Sequence, residues 1–302
     1  MRFLHNTNID FINKRAMFFR ISIAVILIGI IGSFLIGPVF GIDFEGGTEI
    51  GVEFENSIEA SDVRSAIESA GFEGSEIKSF GGDNTFLVRV KDAGDAPTKV
   101  KDVLNSAFPN NPHLTLKVDK IGPKIGREMR TQALIAILLS VLAILLYVAF
   151  RFEFAYGLGA ILALVHDVVI TFTLIIIIHK IGLINLEINQ AILAALLTVI
   201  GISINDTVVI FDRIRENLER QKGKSFLAIV NGSLNETLAR TVITTLTTIT
   251  ALLAIVLFGG PVLQGFAFTM LIGFIVGTYS SIFVASSFVI WYLERNKKVK
   301  TA

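Results

Sequence analysis

The sequence contains no cysteine among its 302 residues. This absence excludes disulfide bonds, thiolate metal sites and cysteine nucleophiles. Net charge is also nearly absent, because 27 basic and 26 acidic residues leave a formal charge of +1 at pH 7. No group of lysines and arginines resembles the basic patch of a nucleic-acid-binding surface. The sequence therefore indicates no nucleic-acid partner, and we expect neither a metal nor a cofactor.

Charged residues are missing from long stretches of the chain. The chain is 52% hydrophobic with a mean hydropathy of +0.67, which exceeds the apolar content of an ordinary soluble domain. A helix needs about 20 mostly apolar residues to cross the hydrocarbon core of a bilayer. Six apolar runs, numbered spans 1 to 6, approach this requirement: Ile21–Phe40, Thr131–Phe150, Phe154–Ile178, Ile188–Phe211, Thr241–Phe258 and Val262–Leu293. The chain is predicted to be a polytopic α-helical membrane protein with six transmembrane helices.

Span 1 lacks the features of a cleaved signal peptide. It is longer than the apolar region of a signal peptide, it begins only at Ile21, and no small-residue cleavage site follows it. We therefore expect it to remain in the chain as a membrane anchor.

Lysine and arginine are concentrated in alternate connections between the spans. The positive-inside rule places such connections in the cytoplasm, whereas long domains cross the membrane largely regardless of charge. We therefore expect both termini in the cytoplasm and the long connection between spans 1 and 2 outside. The basic residues behind this prediction are Arg2, Lys14, Arg15, Arg20, Arg151, Arg213, Arg215, Arg220, Lys222, Lys224, Arg295, Lys297, Lys298 and Lys300, against Lys180 alone in the short connections of the other side.

The segment at 41–127 has the pattern of a small soluble α+β domain. Polar and apolar residues alternate in two stretches, as they do in half-buried strands, and two others carry an apolar helical stripe. A further pair of stretches flanks a Gly-Gly-Asp-Asn turn, which is typical of a hairpin. The predicted elements are strands at Thr48–Phe54, Glu76–Phe80, Thr85–Lys91 and Leu114–Asp119, and helices at Ser61–Ala70 and Val100–Ala107. Their order, βαββαβ, predicts a ferredoxin-like domain.

No group of His, Asp and Glu with ligand spacing occurs in this outer domain, and we expect its carboxylates to lie on solvated strand faces. The sequence predicts no catalytic residue there. The predicted organisation is a cytoplasmic segment at 1–20, transmembrane helix 1 at 21–40, the outer domain at 41–127, a five-helix transmembrane region (helices 2–6) at 128–293 and a cytoplasmic tail at 294–302.

Span 4 contains an acidic residue, Asp206. A charge at the centre of a bilayer costs about 2.5–3.5 kcal/mol on insertion scales, and such residues usually mark ion or proton pathways. Arg240 is the natural counter-charge. The capping-box pattern Ser233-Leu-Asn-Glu236 predicts that the helix of span 5 starts near Leu234, so that Arg240 reaches a depth comparable to that of Asp206. The alternatives are that Asp206 reaches the interface or makes a structural hydrogen bond, and that Arg240 is one more positive-inside residue.

Other polar residues also lie within the spans. The threonines of span 5, among them Thr244, form a polar track beside Arg240, although threonine in a membrane helix often only bonds its own backbone. His166 and Asp167 in span 3 form a pair that can relay protons, and a structural role is the alternative for each. Span 6 repeats a small residue every four positions, which favours close helix packing: Gly265, Thr269, Gly273, Gly277, Ser281 and Ala285.

Two stretches of this chain resemble motifs of the protein-export membrane proteins SecD and SecF. The run Gly41-Ile-Asp-Phe-Glu-Gly-Gly-Thr-Glu-Ile50, which contains Asp43, Gly46 and Gly47, resembles the Gly-Gly motif that follows the first span in that family. The run Gly201–Asn217 is similar to the span-4 signature of SecF, and Leu238–Thr241 and His166-Asp167 also match. The small outer domain favours SecF over SecD, and the resemblance covers essentially the whole chain.

The resemblance implies a subunit of the Sec export machinery in the cytoplasmic (inner) membrane of a bacterium. Such a subunit pairs with SecD as one half of a resistance-nodulation-division-type assembly and assists the SecYEG translocon, with YajC as a further candidate partner. It uses the proton-motive force to help move preproteins across the bilayer. The intramembrane Asp and Arg of the family match Asp206 and Arg240, with Thr244 one turn further on, and no departure occurs at these positions.

The resulting hypothesis is that protonation of Asp206 weakens its attraction to Arg240 and lets the helices of spans 4 and 5 shift. The junction with Gly41, Gly46 and Gly47 is the predicted hinge towards the outer domain. Because no covalent chemistry is required, we do not expect an enzyme. Two alternatives stay open at this point: half of a proton-coupled small-molecule exporter, and a passive scaffold for translocon assembly.

Overall fold

The computed structural model describes residues 7–79, 82, 84–91 and 94–296. These residues form two compact units. The membrane unit comprises 7–38, 137–186 and 191–296, and the outer unit comprises 39–136 and 187–190. Several residues used in the predictions lie outside the described residues: Arg2, Phe80, Gly81, Asp83, Lys297, Lys298 and Lys300.

The elements follow one another along the chain as ten α-helices, four strands and one π-helical turn among the described residues. They are α1 (Arg15–Ile36), α2 (Ile42–Glu45), β1 (Gly47–Phe54), α3 (Ala60–Ser69), β2 (Glu76–Ser79), β3 (Thr85–Val90), α4 (Ala96–Ala107), β4 (His113–Ile121), α5 (Pro123–Arg151), α6 (Phe154–Ile181), α7 (Gln190–Arg220), α8 (Phe226–Phe258), α9 (Gly260–Ser280), the π-helical turn (Ser281–Ala285) and α10 (Ser286–Arg295).

Within the described part of the chain, six helical stretches are long and apolar enough to cross a membrane, and they overlap the six predicted spans. Spans 1 to 5 are α1, α5, α6, α7 and α8, and span 6 combines α9, the π-helical turn and α10. The predicted fold class is therefore confirmed. Several of these helices extend well past the apolar run, because amphipathic turns continue them beyond the hydrophobic stretch.

The predicted start of the helix of span 5 is wrong. The helix α8 begins at Phe226, where the hydroxyl of Ser225 accepts a hydrogen bond from the amide of Ala228 at 3.3 Å. Ser233 is no cap, since it is buried inside the helix and donates to the carbonyl of Ile229 at 2.8 Å. The helix starts earlier because its first turns bury apolar side chains in the core.

The core of the membrane unit lies where α6, α7, α8 and α10 meet. Phe211 of α7 is fully buried and meets the ring of Tyr156 of α6 edge to face, with the ring centroids 5.1 Å apart. Gly159 of α6 lets α10 approach, because a side chain there would come within 2.8 Å of Val289. The tight packing around Phe211 fixes the rotation of α7 and with it the direction of its polar residues.

The outer unit is an antiparallel four-stranded sheet with the strand order β2-β3-β1-β4. Together with α3 and α4 this gives the predicted βαββαβ ferredoxin-like arrangement. Its core is formed by buried side chains from both helices and the sheet: Ile50, Val52, Phe54, Val63, Ile67, Val88, Val100 and Leu104. A further short helix, α2, precedes β1 and was not predicted, since four residues are too few to show a helical period.

Candidate functional site

Asp206 is half-buried on α7 and lines a cleft between α7 and α9. About 210 Å³ of space that no protein atom fills lies in this cleft and at its open mouth. The side chains around it are mixed in character: Val199, Ile202 and Ser203 from α7, and Gly273, Phe274, Gly277 and Thr278 from α9. The carboxylate therefore faces a partly polar recess of the membrane unit rather than an apolar surface alone.

Arg240 lies on α8, and its side chain is exposed in this chain. Its charge acts on the Asp206 carboxylate, but among the described residues no ion pair within 4.0 Å joins the two. Arg240 lies fourteen residues after the start of α8, and Asp206 lies fourteen residues before the end of α7. Both positions are about 21 Å from the adjoining helix ends. The predicted partners are thus at matching depth and electrostatically linked without touching.

The threonines of α8 mostly bond their own backbone. The hydroxyl of Thr244 donates to the carbonyls of Arg240 and Thr241, each at 2.9 Å. Thr245 behaves differently, because its hydroxyl meets that of Thr278 on α9 at 2.8 Å. Thr278 lines the cleft of Asp206. The hydroxyl that α8 contributes next to this cleft is therefore that of Thr245, one residue after the predicted Thr244.

Asp167 of α6 is only 1% exposed and is hydrogen-bonded on both carboxylate oxygens. Its Oδ1 lies 2.8 Å from Nδ1 of the neighbouring His166. Its Oδ2 accepts from the hydroxyls of Ser203 on α7 and Ser280 on α9, the latter at 2.8 Å. Asp167 thus ties three membrane helices together. The ring of His166 stacks on Tyr279, with centroids 5.8 Å apart.

Ser203 connects the two intramembrane acids. It donates to Asp167 and also lines the cleft of Asp206, which follows it by one helical turn. A second contact lies one turn further along α7, where the hydroxyls of Thr207 and Ser281 are 2.9 Å apart. Ser281 opens the π-helical turn, a feature that often marks functional sites. Ser203, Ser280 and Thr207 were not predicted. A serine three residues before an acid within an apolar run, as Ser203 is, is a usable signal, whereas Ser280 has no acidic residue near it in the sequence.

The predicted small-residue stripe of span 6 faces α7 and the residues before it. A side chain at Gly273 would place its Cβ 2.1 Å from Val199, and one at Gly277 would lie 3.3 Å from Ser203. Gly265 lies against the carbonyl of Asn185, 3.2 Å from the position of a Cβ. These glycines let the backbone of α9 approach α7 closely, and the walls of the Asp206 cleft depend on that approach.

The motif residues after span 1 belong to the outer unit. Gly47 has a φ of 129°, and a Cβ there would lie 2.8 Å from the carbonyl oxygen of Val90. Gly46 has a φ of 79° and lies against the backbone of Pro123. Asp43 accepts a hydrogen bond of 2.8 Å from the amide of Gln190. The two glycines are therefore required by close backbone contacts, and their role as a hinge stays a prediction.

The described part of the chain contains no group of three or more His, Asp and Glu side chains that could hold a metal ion. The expectation that all carboxylates of the outer domain are solvated is wrong for Glu49. This residue is 7% exposed and pairs with Arg89 at 2.9 Å and Lys117 at 2.7 Å. Cross-strand cations hold it, and these partners lie 40 and 68 residues away in the sequence.

Comparisons with known proteins give the same family for both parts of the chain. A family model described as the C-terminal part of the protein export membrane proteins SecD/SecF matches residues 99–295. A model of the SecD/SecF GG motif matches residues 31–58. The protein translocase subunit SecF of Endomicrobium trichonymphae is 39% identical, covering 100% of this chain and 97% of that protein. The corresponding subunit of Calditerrivibrio nitroreducens is 40% identical, with 94% of each chain covered.

Two solved structures of SecDF are also similar to this chain. One is the crystal structure of SecDF, described as a translocon-associated membrane protein, from Thermus thermophilus. It superposes with a TM-score of 0.87 at 34% identity and covers 98% of this chain. The other is SecDF in a super-membrane-facing form, with a TM-score of 0.72 at the same identity. This chain spans 40% of the length of either SecDF chain.

Proposed function

Because this chain belongs to the SecF branch of the SecD/SecF family of protein-export membrane proteins, we propose that it uses the proton-motive force to promote preprotein translocation. It does so as a multi-pass protein of the bacterial cytoplasmic membrane with both termini in the cytoplasm. Its partners are a SecD-type subunit, the SecYEG translocon and, as a further candidate, YajC. It acts as a transport subunit and not as an enzyme, since the proposed cycle makes and breaks no covalent bond in the substrate.

The observation that carries this proposal is Asp206, a carboxylate inside a membrane helix that faces a small, partly polar cleft within the field of Arg240. An unpaired charge at this depth is costly, so its protonation state changes the energy of the helices around it. Because Asp206 and Arg240 do not touch, neither charge is fully compensated, and uptake of a proton changes their attraction. A protonation event thus alters the balance between two arrangements of α7 and α8.

The available energy is sufficient for such a switch. One elementary charge that crosses a potential of about 100 mV supplies roughly 2.3 kcal/mol. Since about 1.4 kcal/mol corresponds to a tenfold change in an equilibrium constant, each proton shifts a two-state equilibrium by tens-fold. Ser203 and Thr278, which line the cleft, provide hydroxyls along which a proton can approach the carboxylate.

Two exposed surfaces of the membrane helices support the proposed SecD-type partner. The side chain of Arg240 is exposed on α8. In the most hydrophobic stretch of α5, only 6% of the residues are buried within this chain. Lipid is an unfavourable neighbour for a guanidinium group at this depth. The similar SecDF chains are about two and a half times as long as this one. We infer that a SecD-type subunit packs against these surfaces and covers Arg240.

The substitution Asp206→Asn tests the proposal, because it keeps the shape of the side chain and removes its titration. We expect export into membrane vesicles that contain the SecD-type partner and the translocon to lose its stimulation by a proton gradient. Export driven by ATP alone should be unchanged. The matched control is Glu219→Gln, the same change at an exposed position near the end of α7. Full gradient-dependent stimulation in Asp206→Asn vesicles would refute the proposal.

A further inference from the structure

Glu187 is a buried acid in the connection between α6 and α7, and it belongs to the outer unit. It is 4% exposed. One carboxylate oxygen accepts from Lys78 of β2 and the other from Arg89 of β3. Burial alone would raise the pKa of Glu187, but the charge of Arg89 and the hydrogen bonds from Lys78 and Arg89 hold it below its usual value. The sheet thus holds this connection by an acid that stays ionised.

The cations that hold Glu187 are themselves fixed by neighbouring strands. Arg89 also pairs with Glu49 of β1 at 2.9 Å and with Glu76 of β2 at 3.0 Å. Lys117 of β4 extends this set of ion pairs to the fourth strand, because it pairs with Glu49 at 2.7 Å. Each charge therefore has a defined neighbour on an adjacent strand. Such a network holds its members more rigidly than an isolated surface ion pair.

Backbone contacts hold the same connection. The amide of Ile188 donates to the carbonyl of Val39 at 2.8 Å, and the amide of Gly41 donates to the carbonyl of Ile188 at 3.0 Å. The amide of Gln190, the first residue of α7, donates to Asp43 at 2.8 Å. A carboxylate at this place satisfies an amide that the helix leaves without a partner and favours the helix dipole.

These contacts matter because α7 carries Asp206. Gln190 and Asp206 are sixteen residues apart on one continuous helix, a distance of about 24 Å along its axis. An α-helix transmits an axial or rotational displacement with little internal change. A displacement at Asp206 therefore reaches Gln190, the residue that Asp43 holds.

We propose that Glu187 and Asp43 are positioning residues that fasten the start of α7 to the sheet of the outer unit, so that movement of α7 driven at Asp206 is transmitted to that unit. This inference rests on the proposed proton-coupled function. The connection at 187–190 is then the link between proton uptake and the outer unit. Neither residue touches the proton; both act through α7.

The test uses the full chain with its SecD-type partner and the translocon in vesicles. The first readout is the gradient-dependent part of the export rate. The second is the gradient-dependent change in energy transfer between dyes on cysteines introduced at the exposed positions Glu73 and Phe258. Labelling is specific within this chain because it has no native cysteine.

In Glu187→Gln we expect the gradient-dependent export rate to fall about fivefold or more, the lower end of typical coupling effects, and the change in energy transfer to disappear. Export without a gradient should be unchanged. Asp43→Ala should behave in the same way, whereas Asp43→Asn, which keeps an acceptor for the Gln190 amide, should retain most of the coupling. Lys117→Gln is the matched control, since it removes an ion pair with Glu49 and leaves both cations on Glu187.

The outcomes separate the two ideas. If Asp206→Asn loses both signals while Glu187→Gln and Asp43→Ala keep them, the link is refuted and the proton-coupled function stands. If Asp206→Asn keeps both signals, both are refuted. Protease resistance of the outer unit is compared across the variants. If Glu187→Gln loses coupling while its outer unit is as resistant to protease as that of Lys117→Gln, the link is supported. If coupling is lost only in variants whose protease resistance is also reduced, the link is overturned.

Discussion

At the residue scale, the acids of this chain differ in how their charge is compensated. Asp206 faces a cleft and lacks a contacting cation within the described residues. Glu187 is enclosed by two cations, and Asp167 by hydroxyls and a histidine. A carboxylate whose charge is only partly compensated is the one whose protonation changes its surroundings most. This contrast supports Asp206 as the site of coupling and Glu187 as an anchor that is ionised at neutral pH.

The ionised state of Glu187 predicts how the outer unit responds to pH. A carboxyl group whose pKa is lowered by folding stabilises the folded state fully above its ordinary value of 4.5, and this contribution is lost as pH falls through the lower folded value. We expect the protection factors of the 187–190 amides, which are the intrinsic exchange rates divided by the observed ones, to fall in that acid range. In Glu187→Gln the protection factors should be lower at neutral pH and less dependent on pH.

His113 also contributes to the acid response, because burial and the charge of Lys101 lower its pKa. Its contribution is likewise lost as pH falls. The difference between the unchanged chain and Glu187→Gln isolates the effect of the acid, since His113 is present in both. Identical pH profiles for the two chains would contradict an ionised anchor at residue 187.

The sequence allowed Asp206, Arg240 and Asp167 to be selected, because a polar side chain is conspicuous in an apolar run. It did not predict Glu187, which is an ordinary charge at the edge of span 4. Its partner Arg89 is 98 residues away. Pairings of this kind depend on the strand order of the outer unit, and a charge pattern within one element contains no information about them. The same reason explains why the burial of Glu49 was missed.

At the scale of elements, the contact between α7 and α9 determines the cleft. Gly273 lies against Val199, and Gly277 lies against Ser203. The spacing of small residues in span 6 predicted close packing, but it did not identify the helix against which span 6 packs. The structure places that partner within the chain, where it forms one wall of the recess around Asp206.

This contact predicts the effect of one added methyl group. In Gly273→Ala the new Cβ would lie 2.1 Å from the Val199 side chain, so the helices must separate or Val199 must change its position. We expect a loss of about 1–3 kcal/mol of stability, which is typical of overpacking. It is measured by thermal unfolding in detergent.

The second substitution Val199→Ala should restore part of this loss, because it removes the methyl groups at 2.1 and 2.6 Å but keeps the Cβ of residue 199 at 2.9 Å. Gly232→Ala on α8 is the matched control, since its added Cβ meets nothing within 4 Å. Equal stability of Gly273→Ala and Gly232→Ala would contradict the close approach of α9 to α7.

Element boundaries were the least predictable feature at this scale. The helix α8 begins eight residues before the predicted Leu234, because Ser225 caps it and Phe226, Ile229 and Val230 are buried. Two serines competed for the role of the cap, and the local pattern favoured Ser233, because only Ser233 is followed three residues later by a glutamate. Burial in the core, which the sequence does not display, decided between them. The number and order of the elements were predictable, since long apolar runs and alternating strands are strong signals.

At the scale of the whole molecule, the membrane unit leaves large apolar faces exposed. The exposed face of α5 and the exposed guanidinium of Arg240 lie on different helices. Both surfaces support the proposed SecD-type subunit as a second membrane component of the assembly.

This arrangement predicts that extraction in a mild detergent recovers the chain together with a SecD-type subunit in a 1:1 ratio. The measurement is native mass spectrometry of the purified complex. An Arg240→Leu variant, which removes the charge that the partner covers, should still bind but lose gradient-dependent export. Recovery of a stable, monodisperse single chain would contradict the need for a second subunit.

The π-helical turn at Ser281–Ala285 has a consequence for how chain length can vary. A regular helix turns by about 100° for each residue, and the wide turn accommodates one residue more than a regular one. Deleting a single residue there would convert the wide turn into a regular α-helical turn and leave the fully buried Ile290 of α10 facing the core as before. A deletion of one residue should therefore be tolerated at this turn, whereas the same deletion within the regular part of α9 would rotate the residues that follow it by about 100°.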